Sequence, residues 1–123
     1  MERQLVPAVS PQAATVGYSR AVRDGKHVYV AGTAPVGLDS PDPYLQAKRC
    51  LEIVTAALAE LGARPEHVVR TRVYLVDAGD WEAVGRAHGE VFGDIRPASA
   101  MLVVAALLDP AWKVEIEADA VLP

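Results

Sequence analysis

The stretch Ala98 to Leu107, "ASAMLVVAAL", is apolar on both faces when laid out as a strand, because Ala100 and Leu102 alternate with Met101 and Val103. A strand of this kind must be covered from two sides. Elsewhere in the chain only two long segments carry a helical period. Two helices roof one face of a sheet, since each is about 10 Å wide and strands lie about 4.8 Å apart. Leaving the second side wet would cost roughly 25 cal/mol per Å² of apolar surface. The pattern therefore predicts a closed oligomer in which sheets pack on one another.

The remaining elements read as follows. "YSRAVRDGKHVYVAG" is a pair of strands around a tight turn at Asp24-Gly25, and residues 33–43 are a turn-rich loop. From Tyr44 to Leu61, Ala47, Leu51, Val54, Leu58 and Leu61 fall on one helical stripe, which Gly62 ends. In "HVVRTRVYLVD", Val69, Thr71, Val73 and Leu75 share one strand face, and Arg70, Arg72 and Tyr74 share the other. Asp80 is read as the cap of a second helix with Trp81, Val84, His88 and Val91 on its inner face, beside Phe92, and Gly93 at its exit. The chain closes with strands over Ala98–Leu107 and Trp112–Val121; in the latter Val114, Ile116, Ala118 and Ala120 alternate with Lys113, Glu115, Glu117 and Asp119. If "RQLV" also pairs, the order is β-β-β-α-β-α-β-β, one α+β domain spanning residues 1–123.

A net charge of −4 gives no basic face for nucleic acid. No stretch approaches the roughly 20 apolar residues of a membrane span, and the N-terminus lacks a secretory pattern, so a cytoplasmic protein is expected. Cys50 is the single cysteine and is read as a buried helix residue. His27, His67 and His88 are too dispersed for a zinc signature, and His88 is read as an interior histidine. Trp81 and Trp112 are expected to anchor core and interface.

"GYSRAV", "VYVAGTAP", "QAKRCLEIVTAAL", "VVRTRVYLVD", "RPASAMLVV" and "KVEIEADAV" stand in the order and approximate spacing of the RidA/YjgF family, which the chain resembles over nearly its whole length. The resemblance implies a chorismate-mutase-like fold with a mixed sheet, two helices on one face, and a homotrimer with a barrel-like core and clefts between subunits. It also implies an enamine/imine deaminase that converts a 2-imino acid to a 2-oxo acid and ammonia, with no metal and no cofactor. Carried over by position, Glu115 would orient the attacking water, Tyr18 would line the pocket, and Gly32 and Met101 would present backbone groups to the ligand. Endoribonuclease activity, attached by name to parts of the family, is disfavoured by the acidic charge and the lack of a histidine cluster.

Two positions depart from the family pattern. Pro97-Ala98 is followed by Ser99 where the family carries a carboxylate-gripping arginine, and the first turn reads Ala31-Gly32-Thr33. A serine hydroxyl does not supply a bidentate charged clamp, whose bonds are worth roughly 1.5–3 kcal/mol each. Arg96, held extended before Pro97, is one candidate replacement, and Arg20 and Arg72 compete with it. Gly32, Thr33, Arg96, Ser99 and Met101 are thus the candidate substrate-binding residues, and Glu115 and Tyr18 the catalytic ones. A hydrolase and a non-catalytic metabolite-binding trimer are both compatible with this set.

Overall fold

The computed structural model describes residues 3–123. A short strand β1 (Gln4–Pro7) and a one-turn helix α1 (Ala13–Val16) precede the hairpin β2 (Ser19–Asp24) and β3 (His27–Thr33). Helix α2 (Pro43–Glu60), strand β4 (Val68–Leu75), helix α3 (Trp81–Phe92) and strands β5 (Ala98–Val103) and β6 (Val114–Val121) follow. The single sheet runs β1-β2-β3-β6-β4-β5, antiparallel throughout except for β4 beside β5. Strand β6, last in sequence, is thus central in space.

Helix α2 starts where Asp42 accepts from the Tyr44 and Leu45 backbone N–H groups and Pro43 presets the first helical φ. It ends at Gly62, whose φ of 80° lies in the left-handed region open to glycine. The predicted stripe Ala47, Leu51, Val54, Leu58 and Leu61 is buried, as is Cys50. It packs on the inward residues of the sheet, among them Val28, Val30, Val73, Leu75, Val114, Ile116, Ala118 and Ala120.

Several local expectations are corrected. The hairpin turn is Gly25-Lys26, because Asp24 pairs with His27 and Gly25 alone takes a positive φ, 64°. Helix α1, one turn closed by the Gly17 N–H on the Ala13 carbonyl at 2.8 Å, is too short to show a period. In β4 a register shift between Val68 and Arg70 puts Val68 in the core and leaves Val69 exposed. Asp80 makes no side-chain cap on α3; Asp77 accepts from the Gly79 N–H one turn earlier. Trp81 stands 58% exposed at the helix start and is not a core anchor.

Both closing strands are shorter than their hydrophobic runs. The Val104 N–H makes a last bond to the Leu75 carbonyl, and the chain then leaves the sheet. Trp112 and Lys113 precede β6 because buried Gln46 replaces the ladder there, accepting from the Lys113 N–H at 2.8 Å and donating to the Ala111 carbonyl at 3.0 Å.

The face of the sheet away from the helices is more polar than the run Ala98–Leu107 suggested. Tyr74 donates to Glu117 at 2.9 Å, and Arg72 reaches Glu117 at 3.7 Å and Asp119 at 3.4 Å. Apolar exposure concentrates on the edge: every residue of β5 is exposed, Leu102 by 47% and Val103 by 57%, and Leu108 beyond it by 96%.

Leu58 is fully buried between α2 and the sheet. Leu58→Ala is expected to lower the unfolding free energy by about 2–5 kcal/mol in urea titration, the cost of a core cavity. A loss under 0.5 kcal/mol would show that the helix packs loosely.

Candidate functional site

The alternation of β6 decides where its acids point. Val114, Ile116, Ala118 and Ala120 fill the core, so Glu115, Glu117 and Asp119 stand on the open face. Glu115 is opposite Tyr74 in register and close to the irregularity between Val30 and Thr33 of β3. Gly32 lies in that irregularity: a Cβ placed there would stand 3.0 Å from Glu115 Oε2, so the absence of a side chain is what admits the carboxylate. Gln46, by fixing the backbone at Lys113, sets the entry of β6 two residues ahead of Glu115.

Arg20 shares this neighbourhood. Its Nη2 donates to the Gly32 carbonyl, and its Nε is buried without a partner among the described residues. Burial lowers the Arg20 guanidinium below its ordinary value, while Tyr18 and then Glu115 act in the opposite direction. For Glu115, burial is the largest cause and raises the carboxyl above 4.5; Arg20 opposes the shift and Glu117 reinforces it. Burial first, and Glu115 second, push the Cys50 thiol up to about 12, so it stays protonated and unreactive.

The other predicted residues are dispersed. Thr33 is fully buried on the helix side, its hydroxyl donating to the Ala31 carbonyl at 2.7 Å. Arg96 is not extended: at φ 57° it closes the chain behind α3, its N–H on the Phe92 carbonyl at 2.9 Å and its Nε on the Gly93 carbonyl at 3.3 Å. Arg72 is engaged by Glu117 and Asp119. Tyr18 is 38% exposed just ahead of β2.

Ser99 and Met101 lie on the sheet face opposite Glu115. Ser99 is in register with Thr71, which faces the helices, and the Met101 methyl lies beside Gly85 of α3. Glu115 is in register with Tyr74, and Tyr74 with Leu102, on the open face. One chain therefore does not bring Ser99 and Glu115 to a common ligand.

Thr71, absent from the sequence-derived site, links these parts. Its hydroxyl is 2.8 Å from His88 Nε2 and donates to Ser99 Oγ at 2.8 Å. A hydroxyl at an inward strand position was the available signal, because buried polar groups find partners. His88, lowered from 6.5 by burial alone, also rests against the Phe92 ring at 4.7 Å. Among the described residues, no three His, Cys, Asp or Glu gather as a metal site, and no helix is long and apolar enough to cross a membrane.

The family model described as Endoribonuclease L-PSP matches residues 8–122. This chain belongs to the YjgF/RidA family. Its structure is similar to that of Rv2704 from Mycobacterium tuberculosis, a member of the YjgF/YER057c/UK114 family. The TM-score is 0.92 at 43% identity, covering 98% of this chain and 100% of that one. It is 40% identical over 119 residues to an uncharacterized protein of Streptomyces coelicolor, covering 94% of this chain and 89% of the relative. It is 34% identical over 128 residues to Protein DfrA of Myxococcus xanthus, covering 98% and 97%. The α+β family fold, with its mixed sheet and two main helices, is thereby established.

A carboxyl whose folded pKa is raised binds its proton more tightly in the folded chain than in the unfolded one. Its ionisation then makes stability fall as pH rises from the ordinary carboxyl value through the folded value. Glu115→Gln is therefore expected to melt higher than the wild type at pH 7, with the gap closing as pH drops below about 4.3. Equal melting temperatures at pH 7 would mean that Arg20 cancels the burial cost.

Proposed function

We propose that this protein is a hydrolase of small 2-imino acids or related enamines, working in clefts between the subunits of a homotrimer. The carrying observation is the convergence of Glu115, Arg20 and Gly32, with Tyr18 close enough to act on the Arg20 charge. A half-buried carboxylate with a raised pKa is suited to take a proton from water and return it. Arg20 is the arginine of this group and meets the substrate carboxylate, while Tyr18 lines the pocket.

In the reaction a C–O bond forms between water and the carbon of the protonated imine as Glu115 takes one water proton and the C=N electron pair moves onto the nitrogen. The carbinolamine then collapses: Glu115 protonates the nitrogen, the C–N bond breaks with its electron pair leaving on ammonia, and the hydroxyl proton passes to Glu115, which releases it to solvent and regains its starting charge. The products are a 2-oxo acid and ammonia. No part of this sequence draws on a metal or cofactor.

Two observations support a second copy as the missing wall. The hollow on the open face, lined by Val22, Tyr29, Arg72 and Asp119 among others, has a volume of about 250 Å³ and does not include Glu115. Ligand pockets usually enclose roughly 300–1,000 Å³. The exposed apolar β5 edge offers unpaired backbone groups and apolar side chains to a neighbour, which would carry Ser99 and Met101 to the Glu115 of the next chain. Ser99 in place of an arginine also favours a second reading, a trimer that binds a metabolite without turning it over.

Three measurements test the proposal. Light scattering is expected to give three times the 13.1 kDa chain mass, and Leu102→Asp to break the assembly; a lone subunit in solution would overturn the cleft. Glu115→Gln is expected to lower kcat for a freshly generated 2-imino acid at least about a hundredfold, the usual scale of acid–base catalysis. Wild-type release of 2-oxo acid at the buffer rate would instead leave the binding trimer. Arg20→Gln is expected to raise KM about tenfold, about 1.4 kcal/mol.

A further inference from the structure

Helix α2 holds both sides of the Glu115 site at once. The buried amide of Gln46 donates to the Ser40 carbonyl at 2.8 Å and to the Ala111 carbonyl at 3.0 Å, and it accepts from the Lys113 N–H at 2.8 Å. Ser40 lies in the loop that leaves β3 after Gly32, while Ala111 and Lys113 lie in the segment that enters β6 before Glu115. The next turn of the helix repeats the pattern: Arg49 Nε donates to the Val36 carbonyl at 2.8 Å on the Gly32 side, and Cys50 Sγ meets the Val114 carbonyl at 3.8 Å on the Glu115 side. The Lys113 carbonyl accepts from the Val76 N–H at a long 3.4 Å, so Gln46 makes the tighter of the two bonds to that residue's backbone. Clearance across the site is small, since a Cβ on Gly32 would stand 3.0 Å from Glu115 Oε2. A shift of either segment would change it.

We propose that Gln46 is a positioning residue for the hydrolase: by tying the loop that follows Gly32 to the strand that carries Glu115, it sets how far the carboxylate stands from Gly32 and from the water it deprotonates. The inference rests on the hydrolase reading above and deepens it, with Gln46 acting through Glu115. Gln46 is uncharged, and the titratable groups that act on Glu115 lie elsewhere: Arg20 on β2 with Tyr18 beside it, Glu117 on β6, Tyr74 on β4 and Cys50 on α2. Replacing the amide by an uncharged side chain leaves all of them in place. What changes is the enclosure. With its anchor gone the β6 entry relaxes, water reaches the Glu115 carboxyl, and the burial that raises it above the ordinary carboxylate range weakens. The carboxylate is then a weaker base and a worse-placed one.

The test compares Gln46→Met, which keeps the length of the side chain but drops its hydrogen bonds, with Leu58→Ala, which weakens the core farther along the same helix and leaves both anchors intact. In 2-oxo acid release from a freshly generated 2-imino acid, Gln46→Met is expected to lower kcat about tenfold with KM unchanged. The acid limb of its profile, the rise in rate as Glu115 loses its proton, is expected to move to lower pH. Leu58→Ala is expected to keep that limb at the wild-type position. Carboxyl NMR titration of Glu115 is expected to show the same displacement with no turnover required. If Gln46→Met does not fold, Arg49→Met, which removes the Val36 anchor and no charge that acts on Glu115, is expected to move the titration the same way by less. A Glu115 titration unchanged in the anchor variants that fold, or shifted equally by Leu58→Ala, would overturn the positioning role. Wild-type release at the buffer rate would overturn the hydrolase reading alone, and the NMR comparison would still decide whether Gln46 sets the placement of Glu115.

Discussion

Strand β6 holds the molecule together, and the two-residue pleat of β6 sets what each face of the sheet does. It lies between β3 and β4, so the β1-β2-β3 unit and the β4-β5 unit meet only through it. Its even-numbered residues fill the core beneath α2, and its odd-numbered residues place three carboxylates on the open face. A slip of one residue would bury Glu115, Glu117 and Asp119 and expose Ile116. Gln46 guards against that slip at the strand entry, since its amide takes the place of the ladder at Ala111 and Lys113.

On the open face the same acids separate into two environments. Glu117 and Asp119 are held by Arg72 and Tyr74 in partly exposed contacts, which are worth little individually. Glu115 stands apart against Gly32, with Arg20 near enough to act through its field but engaged by the Gly32 carbonyl. Burial outweighs that field, which is why the Glu115 carboxyl shifts upward although an arginine is close. A carboxylate in that balance changes protonation state at small energetic cost, a property suited to proton transfer.

The edge strand explains why one chain looks incomplete. Strand β5 pairs on one side only and is exposed at every residue, and Ser99 and Met101, expected from the sequence to meet a ligand, face α3 and not Glu115. In the proposed trimer that separation has a purpose, because a neighbour's edge supplies what each sheet lacks. Ser99 is joined through the Thr71 hydroxyl to His88, so the polar groups beneath the edge strand have partners.

Much of this was legible in the residues. The helix stripe from Ala47 to Leu61, the alternation of β6 and the burial of Cys50 follow from period and hydrophobicity alone, because each is a repeating pattern along one element. The motifs that carry the family resemblance also singled out Glu115 and Gly32, which the fold places side by side. What the tertiary structure decided are relations between elements that no local period encodes. The shift in β4 that exposes Val69, the left-handed turn that ties Arg96 to α3, and the selection of Arg20 as the arginine beside Glu115 depend on which strands became neighbours. The opposite facing of Ser99 and Glu115 has the same origin: pleat parity along each strand is written in sequence, but the relative parity of two strands is fixed only when hydrogen-bond register joins them.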